Sequence, residues 1–87
     1  MGIRTNIKAY IIILNWNGLI DTIHCVESCR TLEFPSFRIV VVDNGSDDGS
    51  EVALKKQFPW LDVLQTGGNI GYAGGNNIGI KYALEQE

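Results

Sequence analysis

Eighty-seven residues, 45% of them hydrophobic and 20% charged, amount to one small globular domain, a size that buries only about 60–65% of its unfolded surface. A formal charge of −3 with no basic run excludes nucleic-acid binding through phosphate neutralisation. The longest apolar stretch, residues 9–14, is far too short to cross a bilayer.

Arg4 and Lys8 precede that stretch as a charged leader region would, but no small-residue cleavage site follows, so Ala9–Asn15 is read as the first strand rather than a signal peptide. Asn17-Gly18 turns the chain. From Leu19 to about Leu32 the period becomes helical, with Thr22, Cys25, Val26, Cys29 and Leu32 on one stripe facing a sheet. Cys25 and Cys29, one turn apart, read as two small core residues, since His24 lies on a different face and no further metal ligands are near. The absence of a secretory signal or disulfide framework gives a reducing, cytoplasmic expectation. Pro35 ends the helix.

Phe37–Asp43 is the second strand, and its run Ile39-Val40-Val41-Val42 is apolar enough to be buried on both faces. A serine or aspartate within Ser46-Asp47-Asp48-Gly49-Ser50 caps a helix reaching about Phe58, where Pro59 stops it. Residues 61–65 form a short third strand. After the glycine-rich loop of residues 67–71, a last helix runs from Tyr72 or Ala73 to Ala83 and beyond. The βαβαβα order, with connections too long for hairpins, predicts an α/β domain of three layers, Rossmann-like, its parallel sheet ordered 3-2-1 and its first two helices on one face. The third helix leads into no fourth strand, so we expect an incomplete half-domain. Its open, apolar first-strand edge is expected to pair with a second copy, antiparallel across a two-fold axis.

In open parallel sheets ligands bind at the carboxyl ends of strands. Asp43 sits at one such end, and an ionised acid, which only accepts hydrogen bonds, suits the N3–H of uracil or thymine or the hydroxyls of ribose. The alternative is a local Asx turn. Asn15, ending the neighbouring strand, offers a donor and an acceptor to a base edge. Trp16 either covers a base or fills core, and Asn17 either joins the site or merely turns the chain. Residues 67–77 bring glycines and amides to a helix start, where N–H groups attract anions such as pyrophosphate; the alternative is a flexible loop. The glycosylation sequon Asn44-Gly45-Ser46 is discounted because no secretory signal accompanies it. Asp47 and Asp48 are read as helix-capping residues rather than metal ligands. The single histidine lies inside the first helix, so no serine–histidine–acid set can be assembled.

Three segments, Ile11-Ile12-Ile13-Leu14-Asn15-Trp16-Asn17-Gly18, residues 39–50 ending Val42-Asp43-Asn44-Gly45-Ser46-Asp47-Asp48-Gly49-Ser50, and Asn69-Ile70-Gly71-Tyr72-Ala73-Gly74-Gly75-Asn76-Asn77-Ile78-Gly79-Ile80, resemble the N-terminal, nucleotide-binding part of family 2 glycosyltransferases with the GT-A fold. The last segment and the Leu-Asn-Trp-Asn-Gly variant resemble the rhamnosyltransferase-like members that decorate polysaccharides. The resemblance implies a UDP- or dTDP-sugar donor, bound weakly by this chain, and glycosyl transfer to an acceptor hydroxyl. It also implies nucleotide-sugar contacts at Asn15, Asn17, Asp43, Asn44, Gly71, Asn76 and Asn77. Asn76 stands where many members carry arginine. The family's Asp-x-Asp metal motif belongs to a next strand, so Mg or Mn is expected in the full-length enzyme and no cofactor in this chain. With no catalytic base either, the chain alone is expected to be inactive. The full-length enzyme is expected at the inner membrane face, although no segment here would anchor it.

Two rivals remain. A dinucleotide-binding oxidoreductase wants Gly-x-Gly-x-x-Gly directly after the first strand, where this chain reads Asn15-Trp16-Asn17-Gly18. A non-catalytic, self-associating interaction domain, the product of a truncated gene, would work through the first-strand edge instead.

Overall fold

A computed structural model describes residues 9–31 and 37–86. The elements are β1 (Ala9–Asn15), α1 (Leu19–Arg30), β2 (Phe37–Asp43), α2 (Ser50–Gln57), β3 (Asp62–Gln65) and α3 (Gly71–Glu85). The three strands form one parallel sheet with β2 in the centre, the order predicted from the crossovers. Leu32, Pro35, Arg4, Lys8 and Glu87, on which parts of the sequence reading rest, lie outside the described residues. No helix among those described is long and apolar enough to cross a membrane.

Side chains alternate across a strand, and this alternation divides the core in two. Ile39 and Val41 of β2 face α1 and α2, packing with Val26, Leu54, Phe58 and Leu61, while Ile11, Ile13 and Val63 flank them. The opposite face, with Val42 and Ile12, receives α3, which packs on β1 and β2. The result is three layers, with α1 and α2 on one side and α3 on the other. Burial of Leu54 and Phe58, both almost inaccessible, is worth about 1.5–3 kcal/mol each.

Close packing of α3 depends on what its glycines lack. A Cβ at Gly75 would stand 2.4 Å from Leu14 Cδ1, and one at Gly79 would stand 2.7 Å from Ile12 Cγ2. These glycines let the helix axis approach the sheet closely.

Two expectations about side chains are corrected. The buried face of α1 is built from Leu19, Thr22, Ile23, Val26 and Cys29, a stripe at i, i+3, i+4, i+7 and i+10. Cys25 falls at its margin and is exposed, so only Cys29 belongs to the core edge; burial, followed by its neighbour Cys25, raises the Cys29 thiol above its ordinary value. Trp16 is 55% exposed and fills no core, because it follows the last ladder residue of β1 and leaves the sheet.

Candidate nucleotide-binding site

The parallel register sets Asn15, Asp43 and Gln65 side by side as the last row of the sheet. Each is the final residue of its strand, so three strand ends converge at one place. Since these positions carry the same parity as Ile13, Val41 and Val63, their side chains point to the α1/α2 face.

Asp43 is 0% exposed and accepts from four donors. Its Oδ1 receives Asn15 Nδ2 at 2.8 Å and Ser46 Oγ at 2.6 Å. Its Oδ2 receives Gln65 Nε2 at 2.7 Å and, more distantly, the Ser46 amide at 3.4 Å. A carboxylate has about four lone-pair sites, so the whole accepting capacity of this one is taken by the protein. The network reaches outward in both directions. Asn15 Oδ1 accepts from Thr22 Oγ1 of α1 at 2.6 Å, and Gln65 Nε2 also donates to Glu51 Oε1 of α2 at 2.8 Å. Buried polar groups need such partners, and this row has them.

A second network occupies the α3 face. Asn44, buried like Asp43, donates through Nδ2 to the Gly71 carbonyl at 3.1 Å and to Asn69 Oδ1 at 3.3 Å. Its Oδ1 accepts from Thr66 Oγ1 at 2.9 Å and the Ile70 amide at 3.2 Å. Asn44 thereby ties the end of β2 to the loop that starts α3. Burial also keeps its amide from an acceptor role in the folded chain. Gly71, at φ +86, opens α3, and its amide donates to Asn69 Oδ1 at 2.9 Å.

Gly45 explains how close the loops lie. At φ +79 a side chain would be strained, and its Cβ would stand 2.5 Å from Gly68 Cα. The loop after β2 therefore touches the loop after β3 backbone to backbone, an approach only glycine permits. On the other flank, the Asn17 amide donates to Ser46 Oγ at 2.8 Å, and Asn17 Oδ1 accepts from the Asp47 amide at 2.9 Å. Asn17 holds φ +50, an αL turn that asparagine tolerates.

The structure thus joins Asn15, Asn17, Asp43, Asn44 and Gly71 through these two networks. Asn76 and Asn77 lie farther along α3, the first half-buried and the second exposed. Neither side chain bonds to protein among the described residues, so both amides are free. Sequence reasoning missed Thr22, Ser46, Gln65, Thr66 and Asn69. Gln65 was recoverable, because a parallel register aligns the strand ends; Thr22 was legible only as a core position.

Asp48 holds the start of α2 from two residues before the helix, accepting from the Ser50 amide at 3.0 Å and from the Ser50 hydroxyl. The hydroxyl bond is the main cause that holds its carboxyl below the ordinary value. Among the described residues no three His, Cys, Asp or Glu side chains gather as a metal site would require. The donor set present here therefore does not fit a divalent ion. Two cavities flank the sheet, one away from the strand ends and one beside them. One is bounded by Arg30, Phe37, Arg38, Ile39 and Trp60 at the opposite end of the strands, and the other follows the outer edge of β3.

Residues 10–86 match the family model described as glycosyl transferase family 2. The chain is also similar to the low-salt glycan biosynthesis hexosyltransferase Agl10 of Haloferax volcanii, with 45% identity over 47 residues, which are 54% of this chain and 15% of that protein. The chain spans a small fraction of that relative's length.

Proposed function

The chain belongs to glycosyl transferase family 2, and from that membership we propose that it forms the donor-nucleotide half of an enzyme moving a sugar from a UDP- or dTDP-linked donor to a glycan acceptor. The observation that carries this reading is the last row of the sheet, where three strand ends meet around the buried acid Asp43. In this proposal Asp43 accepts the N3–H of the pyrimidine once one of its protein donors moves aside. Asn15 holds that acid, Asn17, Asn44 and Gly71 shape the rim, and Asn76 and Asn77 offer their free amides. The start of α3 points backbone N–H groups toward the pyrophosphate, the usual chemistry of a helix N-terminus. The similarity to a hexosyltransferase of glycan biosynthesis favours a hexose or deoxyhexose such as rhamnose, and a polysaccharide acceptor. We place the work of the whole enzyme in the cytoplasm, at the inner face of the membrane.

These 87 residues alone carry a charge of −3, and in this proposal only the backbone N–H groups at the start of α3 meet the pyrophosphate. They therefore bind nucleotide no tighter than about 1 mM, since charge repulsion lowers affinity for an anion, and they transfer no sugar. The metal, Mg or Mn, belongs to the full-length enzyme. Titrating UDP into the labelled chain tests both parts: amide shifts should move at Asn15, Asp43, Gly71, Asn76 and Asn77 with millimolar saturation. Shifts confined to other residues, or micromolar affinity, would defeat the proposal.

A second reading draws on β1, which among the described residues pairs only with β2. Through its other edge, which no described residue covers, the chain would pair with a second copy and act as a non-catalytic interaction domain.

A further inference from the structure

Asp43 cannot take a ligand in the arrangement described above, because four protein donors fill its oxygens. Three of them are integral to the loops: Asn15 is itself buried, and Ser46 contributes both its amide and its hydroxyl while the latter also receives Asn17. The fourth is different. Gln65 is exposed, whereas the carboxylate beneath it is not, so the Gln65 amide is the cover over Oδ2.

The orientation of that amide is fixed by its surroundings. Its nitrogen lies between two carboxylates, Asp43 and Glu51, while its oxygen accepts the amides of Gly45 at 3.1 Å and Gly67 at 2.8 Å. Exchanging O and N would set acceptor against acceptor and donor against donor. An N–H on the acid with an adjacent C=O on the Gly45 amide is also the pairing presented by the imide edge of uracil or thymine. Cytosine carries an unprotonated nitrogen at that ring position and cannot donate there.

We propose that Gln65 is a specificity-determining gate: its side-chain amide occupies the base position in the free protein and only an imide-bearing base displaces it. The inference rests on the pyrimidine-nucleotide reading of the site and adds to it a competitor built into β3. A closed gate lowers apparent affinity by the fraction of time the site is open, so its removal tightens binding.

The test is a titration of the full chain with UDP and with CDP, reading backbone amides and the Gln65 side-chain NH2 signal, for wild type, Gln65→Ala and Gln65→Met. In wild type, UDP should shift the Gln65 NH2 signal toward that of a solvated amide and hasten its exchange, while CDP leaves it unchanged. Both variants should bind UDP about tenfold more tightly, the effect of freeing a site closed about nine-tenths of the time. If the wild type binds UDP with the Gln65 signal unmoved, or natively folded variants bind no better, the gate is wrong and the nucleotide site stands. No UDP binding by wild type or variants would remove both. Should the variants fail to fold, the wild-type NH2 signal alone decides.

Discussion

Asp48 shows how a single side chain in this loop can do structural work that its neighbour does not. Its carboxylate bonds the Ser50 amide and hydroxyl at the start of α2, while Asp47 offers only its backbone to Asn17. The folded-state carboxyl lies below its ordinary value of 3.8. A lowered acid contributes stability in full above the ordinary value, and that contribution disappears as pH falls through the folded one. Acidification below about pH 4 should therefore loosen the first turn of α2. Protection of the Ser50 and Glu51 amides, taken against their intrinsic exchange at each pH, should fall on acidification in wild type and stay level in Asp48→Asn; equal profiles would remove the capping role. Both acids were visible in the sequence, Asp43 at a strand end and Asp48 in the loop that follows. Their different duties follow from depth, since one is sealed in the sheet's last row and the other is open to water.

At the scale of elements, α3 is the informative helix. Sequence reading set the helix start within a residue or two and so placed Gly75 and Gly79 inside the helix, but gave them no packing role. In the structure they serve the contact with Leu14, Ile12 and Val42. Gly75→Ala should cost about 1–3 kcal/mol by overpacking against Leu14. Gly74→Ala, whose Cβ would meet only the Ile70 side chain of its own turn at 3.2 Å, should be close to neutral, as the gain in helix propensity offsets the crowding. Urea denaturation of the two variants checks the contrast, and equal losses would mean that α3 does not dock through its glycine face. The helix α1 carries the opposite lesson. Its period was legible, but the choice between a stripe through Cys25 and one through Ile23 depended on the angle at which the helix meets the sheet.

For the whole molecule, β2 is the central strand, paired along its length with β1 and over Val40–Asp43 with β3, while β1 and β3 are the outer strands among the described residues. Among the described residues β1 offers seven residues to its inner partner and none to an outer one. Unpaired apolar edges recruit other strands, so sedimentation at roughly 100 μM, a concentration at which weak edge pairing is populated, should show dimer beside monomer. A sharp monomer boundary would leave the edge without this role. The acidic balance of the chain does not oppose such pairing strongly, because charge repulsion at −3 is spread over the surface and screened by salt.

Alternation and turn chemistry, both local properties, determined three strands, three helices, the parallel order and the position of Asp43 at a strand end. They are written residue by residue, and no distant partner is needed to read them. Which side chains share hydrogen bonds was decided only by tertiary structure: Gln65 meets Asp43 across 22 residues and Asn15 meets it across 28. Strand register creates those meetings, and register comes from the packing of α1, α2 and α3 on the sheet, a sum of contacts that no short stretch of chain contains.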